Sequence, residues 1–177
     1  MRWLKERNLT PQIKRLINEF LMLTYFECSI KRTKEPQEQG KKRNYKYLLS
    51  ADSYTETEAN CAAIMEHEGF TGAENSTGYS LELIAKTDVS EVMFFTSMEN
   101  DQGSWFDVKY MLVSTDEEGY EVIIAKKHVI VYSDDIANIK SSLESIEGMY
   151  SIAIISITLK NYVDYYSQEQ VRELGSV

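Results

Sequence analysis

Two stretches of the chain alternate apolar and polar positions in nearly the same way. Tyr79–Phe95 reads YSLELIAKTDVSEVMFF, and Tyr150–Tyr166 reads YSIAIISITLKNYVDYY. Leu81, Leu83, Val89, Phe94 and Phe95 fall at spacings that suit half-buried strands. Thr87-Asp88 and Lys160-Asn161 interrupt the two stretches at matching places, which predicts a bulge or tight turn. Aromatic and β-branched residues predict a first strand in each half, Thr24–Arg32 and Ser104–Val113. Second strands follow near Asn44–Ala51 and Tyr120–Tyr132, the latter entered through the turn TDEEGYE with Gly119. Helices come next. Cys61, Ile64 and Met65 stripe one, with Thr55 and Glu58 as its expected capping box. Ile136, Ile139, Leu143 and Ile146 stripe the other, with Ser133 as its expected cap.

The match between the halves keeps its order along the chain. YFEC at Tyr25–Cys28 returns as WFDV at Trp105–Val108, and Ala59-Asn60 returns as Ala137-Asn138. The offset falls from 80 to 78 to 71, so loops change length while elements persist. This pattern is that of an internal duplication. A half of this size buries little surface alone, so two halves sharing a core are expected. They should superpose with Phe26 on Phe106, Ala59 on Ala137 and Phe94 on Tyr165.

Ahead of the repeats, Thr10-Pro11 is a good helix start, and Ile13, Leu16, Ile17, Phe20 and Leu21 form one apolar stripe. Packing on the sheet would bury Leu16, Ile17 and Phe20; the competing reading is a partner-binding helix, and a third is that translation begins at Met22. The expected fold is α+β: an amino-terminal helix, then two pseudo-symmetric strand–strand–helix–strand repeats sharing a sheet or core. The segments are residues 1–22, 23–96 and 97–177 of one compact domain.

Composition adds a compartment. Two cysteines, Cys28 and Cys61, make no disulfide framework, which favours a reducing, cytoplasmic setting. Apolar runs fall far short of the roughly 20 residues of a membrane helix, so no membrane partner is expected.

Charge changes the picture more. Residues 1–48 hold 12 Lys/Arg against 5 Asp/Glu, and residues 49–177 hold 7 against 23, within an overall −9. The first hairpin concentrates the positive side in Lys31, Arg32, Lys34, Lys41, Lys42, Arg43 and Lys46, beside Tyr45 and Tyr47. Its counterpart carries Asp116, Glu117, Glu118 and Glu121. The duplicated hairpins have therefore diverged to opposite charge.

Catalytic chemistry is sparse. MEHEG around His67 lacks the paired histidines of a zinc helix and reads as a solvated helix end. His128 reads as structural rather than as a general base, and both cysteines as buried apolar groups. Gly69–Gly72 has Gly-x-x-Gly spacing but reads as a helix stop. No catalytic, metal or cofactor site is expected.

Aromatic-Phe-Glu-Cys near the start, YLLSADSYTETEAN after the basic hairpin, and WFDVKYMLV together resemble one family. It is an uncharacterised domain-of-unknown-function family, DUF4494, of small proteins from gut Bacteroidetes and their phages. The resemblance covers Thr24–Tyr166, leaves the amino-terminal segment outside the pattern, and implies a phage or mobile-element setting. It carries over no catalytic or binding residue.

The sequence thus points to a non-enzymatic binding protein. In one reading the oppositely charged hairpins dock a protein partner or another copy. The alternative is single-stranded nucleic acid on the basic hairpin 31–47, with lysines on phosphates and Tyr45 or Tyr47 under bases. The order of four strands and a helix across Tyr79–Glu147 is similar to that of Whirly and Pur-type repeats, a fold-level analogy. A third reading is that both tips are solvated and guard strand edges.

Overall fold

The computed structural model describes residues 23–36, 38, 40–70, 78–98 and 103–174. The first half contains β1 (Thr24–Arg32), β2 (Arg43–Ala51), α1 (Tyr54–His67), β3 (Ser80–Lys86) and β4 (Glu91–Phe94). The second contains β5 (Ser104–Thr115), β6 (Glu121–Ser133), a 3-10 turn (Ile136–Asn138), α2 (Ile139–Glu147), β7 (Ser151–Lys160) and β8 (Tyr162–Tyr166). A short α3 (Gln168–Leu174) follows.

The fold is α+β, and among the described residues its first element is strand β1, where the expected fold began with an amino-terminal helix. The striped segment 1–22, with Leu16, Ile17 and Phe20, lies outside the described residues. The last stretch of each half divides into two strands at the interruption expected there, and the eight described strands form two separate sheets ordered β3-β1-β2-β8 and β4-β6-β5-β7. Each half keeps three strands and lends its fourth to the other. β4 lies parallel to β6, and β8 lies parallel to β2; the pairs β1–β2, β1–β3, β5–β6 and β5–β7 are antiparallel. The strands β3 to β6 do not make one sheet, which removes the analogy with Whirly and Pur-type repeats.

The ladders place the halves in register. Phe26 sits between Leu49 and Lys86, and Phe106 sits between Val131 and Leu159. The β1–β3 ladder slips between Ser29 and Ile30, leaving Glu82 unpaired; the β5–β7 ladder slips between Lys109 and Tyr110, leaving Ile155 unpaired. A bulge inherited at the same place in both halves is strong support for a common origin, because bulges are specific local devices. Phe26 thus corresponds to Phe106, as expected. The last strands correct the expected offset by two residues. Met93 pairs with Val131 and Tyr166 with Leu49, so Val92, not Phe94, corresponds to Tyr165. A slip of two keeps every side chain on its face, which is why the alternation looked right.

The helix caps also differ from expectation. Ser53, not Thr55, starts α1: its side chain accepts from Glu56 N, and Glu56 Oε2 accepts from Asp52 N at 2.7 Å. Asp135, not Ser133, accepts from Ala137 N at the 3-10 turn. Gly69, at φ +85, ends α1 in the left-handed region that glycine favours.

Three clusters make the core. Cys61, Ile64 and Met65 of α1 cover Phe26, Cys28, Ile30 and Leu49. Ile139 and Leu143 of α2 cover Phe106, Val108, Tyr110 and Val131. Between the sheets, Tyr25 and Leu48 meet Trp105 and Ile130, joined by Val89, Tyr132 and Tyr162. Full burial of a large apolar side chain stabilises by about 1.5–3 kcal/mol, while an exposed ion pair contributes about 0–1 kcal/mol. The junction is therefore held by apolar packing first.

Candidate functional site

The basic hairpin joins β1 to β2. Its residues divide into those committed to the fold and those facing solvent. Arg32 is buried, 6 % exposed, with its guanidinium between the rings of Tyr45 (4.3 Å to the centroid) and Phe70 (4.5 Å). It donates to Tyr47 Oη at 2.6 Å and to the carbonyls of Thr33 and Lys34, and lies 3.2 Å from Glu68 Oε2. Burial pushes the Glu68 carboxyl up, and Arg32 draws it back only in part. Tyr47 is fully buried. Burial likewise raises its phenol far above the ordinary value. Lys46 is bound 2.7 Å from Glu27. Arg32, Lys46 and Tyr47 therefore hold the hairpin together, and Tyr45 is half-buried against Arg32.

Lys31, Lys34, Lys41 and Arg43 are exposed, and Lys42 is half-buried. Glu35 and Glu38 are exposed beside them.

The acidic hairpin joins β5 to β6. Asp116 builds the turn, its Oδ1 accepting from the backbone N–H of Glu118 and Tyr120. Gly119, at φ +88, supplies the positive φ there. Asp116, Glu117, Glu118 and Glu121 are all exposed. So are four apolar neighbours: Tyr120, Val122, Ile123 and Ile124. β4 pairs with β6 only from Val129 onward, so among the described residues no strand covers this part of β6 on that side. Sequence reasoning picked out the acids and missed the apolar row. Its signal was the uninterrupted Val122–Ala125, which does not alternate as a half-buried strand would.

An open cleft beside the junction is lined by Asp88, Ser90, Lys109, Lys126, His128 and Ile155. His128 has Asp88 Oδ1 2.7 Å from Nδ1 and Asp107 Oδ1 2.9 Å from Nε2. Ser90 Oγ donates to the His128 carbonyl, not to the ring, so no hydroxyl nucleophile is aligned on the imidazole there. Among the described residues, no group of three or more His, Cys, Asp or Glu could hold a metal ion. Among the same residues, no helix is long and apolar enough to cross a membrane.

Neither a curated protein nor a solved structure matches the chain. A family model does, over residues 24–168, from the first strand to the start of the last helix. Among the described residues, eight strands, two α-helices and both hairpins fall within that span, and the chain belongs to the family described as domain of unknown function DUF4494.

Proposed function

We propose that this protein is a non-enzymatic docking module whose charge-segregated hairpins engage a protein partner or another copy of the chain. One observation carries the reading: pseudo-equivalent hairpins present opposite charge to solvent. Lys31, Lys34, Lys41 and Arg43 stand on one, and Asp116, Glu117, Glu118 and Glu121 on the other. Opposite patches steer encounter and fix orientation more than they add affinity. The exposed Tyr120, Ile123 and Ile124 beside the acids supply the apolar area that affinity needs.

The nucleic-acid alternative is less well supported. It needs a ring free to stack, but Tyr47 is buried and one face of Tyr45 is taken by Arg32. A reducing, cytoplasmic setting belongs to the proposal and is supported by two cysteines that are free and buried. The phage or mobile-element setting rests on the family resemblance alone.

The test is charge reversal with recovery. Glu117→Lys/Glu118→Lys and Lys41→Glu/Arg43→Glu are prepared in the full chain, and association is measured between labelled and unlabelled copies. If the partner is another copy, mixing the two reversed proteins again sets hairpins of opposite charge together and restores the association that each alone has lost. If it is another protein, each capture must be lost on reversal of one hairpin. Binding of an oligothymidylate that fails on Lys41→Ala/Lys42→Ala/Arg43→Ala would instead favour the alternative. Indifference of every association to reversal of either hairpin defeats the docking reading.

A further inference from the structure

Among the described residues, four strands form the sheet edges, β3 and β8 in the first sheet and β4 and β7 in the second, and β6 adds a shorter open stretch before Val129 that carries Glu121, Lys126 and Lys127. Three of the four carry charge within a short span: Glu82 and Lys86 on β3, Asp164 on β8, Glu91 on β4. β7 differs. Its ten residues, SIAIISITLK, carry a single charge at the last position. That residue, Lys160, lies 3.4 Å from Asp107 Oδ2 of its own chain.

The duplication turns β3 into an internal control. Glu82 and Ile155 are the unpaired residues of matching bulges. Lys86 is opposite Phe26, and Leu159 is opposite Phe106. Both charges of β3 are therefore apolar in β7. Ile155 and Leu159 are nevertheless 54 % and 66 % exposed. Charge and bulges are the usual devices that stop a free edge from pairing. β7 keeps the bulge and has lost the charges.

We propose that β7 is the edge on which a second copy of this chain docks, strand against strand and antiparallel, about a twofold axis. Among the described residues no strand pairs with the outer side of β7, and its backbone N–H and C=O groups on that side are ones a second β7 matches donor to acceptor. The chain carries −9, so a contact between two identical strands is least opposed where those strands lack charge. Among the described edges β7 best meets that condition. Antiparallel pairing keeps the two Lys160 side chains apart, whereas parallel pairing would set them side by side. Because the contact is isologous, it closes at two copies. Neither hairpin takes part, so this inference does not depend on the hairpin reading.

Sedimentation equilibrium of the full chain from about 5 to 200 µM tests it. The wild type is expected to be a dimer. Ile155→Glu/Leu159→Lys writes the charges of β3 onto β7 and is expected to raise the dimer dissociation constant by at least about tenfold, with unchanged far-ultraviolet circular dichroism. Should that variant fail to fold, Thr158→Lys adds one charge at an exposed position of the same strand and is expected to weaken the dimer likewise. A wild type that stays monomeric across the range overturns the proposal, as does a dimer indifferent to the folded β7 variants. Lys41→Glu/Arg43→Glu should leave the dimer intact. A dimer lost in that protein and kept in the β7 variants would also overturn it and pass the contact to the hairpins.

Discussion

His128 Nε2 lies 2.9 Å from Asp107 Oδ1, and this pair fills the place that Lys46 and Glu27, 2.7 Å apart, hold in the first half. Both acids stand on the first strand of their half and both bases on the second. The acid–base contact was copied with the strands while the type of base changed. The change has a chemical consequence. Lys46 donates to Glu27, and Tyr162 of the other half donates to the same carboxylate at 3.0 Å. The imidazole meets Asp107 through Nε2 alone, and its buried Nδ1, though 2.7 Å from Asp88 Oδ1, has no aligned hydrogen bond among the described residues.

Glu27 predicts a pH dependence. Burial pushes its carboxyl up, but Lys46 and Tyr162 outweigh burial and hold it below its ordinary 4.5. A carboxyl lowered by folding stabilises fully above its unfolded value, and that contribution disappears as pH falls through the folded value. In urea melts, Glu27→Gln should therefore be least stable relative to wild type near pH 7. The gap should begin to narrow as pH falls below 4.5 and go on narrowing with further acidification. A gap that widens on acidification would contradict the assignment.

Arg32 predicts a large stability loss unrelated to binding. Alanine there leaves Glu68 and Tyr47 without their buried partner, a change that costs about 3–5 kcal/mol. Lysine should recover little, since it lacks both the planar stack between Tyr45 and Phe70 and the two donors on Tyr47 Oη. Chemical denaturation of both variants measures this. A near-wild-type midpoint for Arg32→Ala would show that the guanidinium is not the keystone of the hairpin.

The start of α1 gives a paired comparison. Ser53→Ala removes the bond to Glu56 N and should cost about 1 kcal/mol. Thr55→Ala, one residue inside the helix and exposed, should stay within about 0.5 kcal/mol of wild type. The reverse order would restore the capping box expected at Thr55 and Glu58.

Gly103 tests the junction. A Cβ there would stand 2.4 Å from the ring of Tyr132, which is 5 % exposed and packed against Trp105 at 4.9 Å between centroids. The ring cannot swing aside without disturbing the inter-sheet core. Gly103→Ala should cost about 1–3 kcal/mol by overpacking. Differential scanning calorimetry reads the loss, and an unchanged transition would show that the junction yields freely.

Much was legible from residue order alone. The duplication, the strand–strand–helix succession and the opposite charge of the two tips all rest on local pattern. A side chain at a hairpin tip has few neighbours, so Asp116–Glu118 are exposed wherever the sheets go. The strand exchange was not legible. β2 pairs with β8 across more than a hundred residues, and alternation reveals that a strand has two faces without naming its neighbour. The same limit applies within the basic hairpin. Tyr45 and Tyr47 are two apart and share a face, yet Tyr47 is fully buried and Tyr45 is not, because Arg32 at the end of β1 and Glu68 and Phe70 at the end of α1 close over the inner ring. Pattern therefore determined which elements exist and where charge lies. Only the packing of distant segments decided which charges are spent inside the fold and which edge is left open.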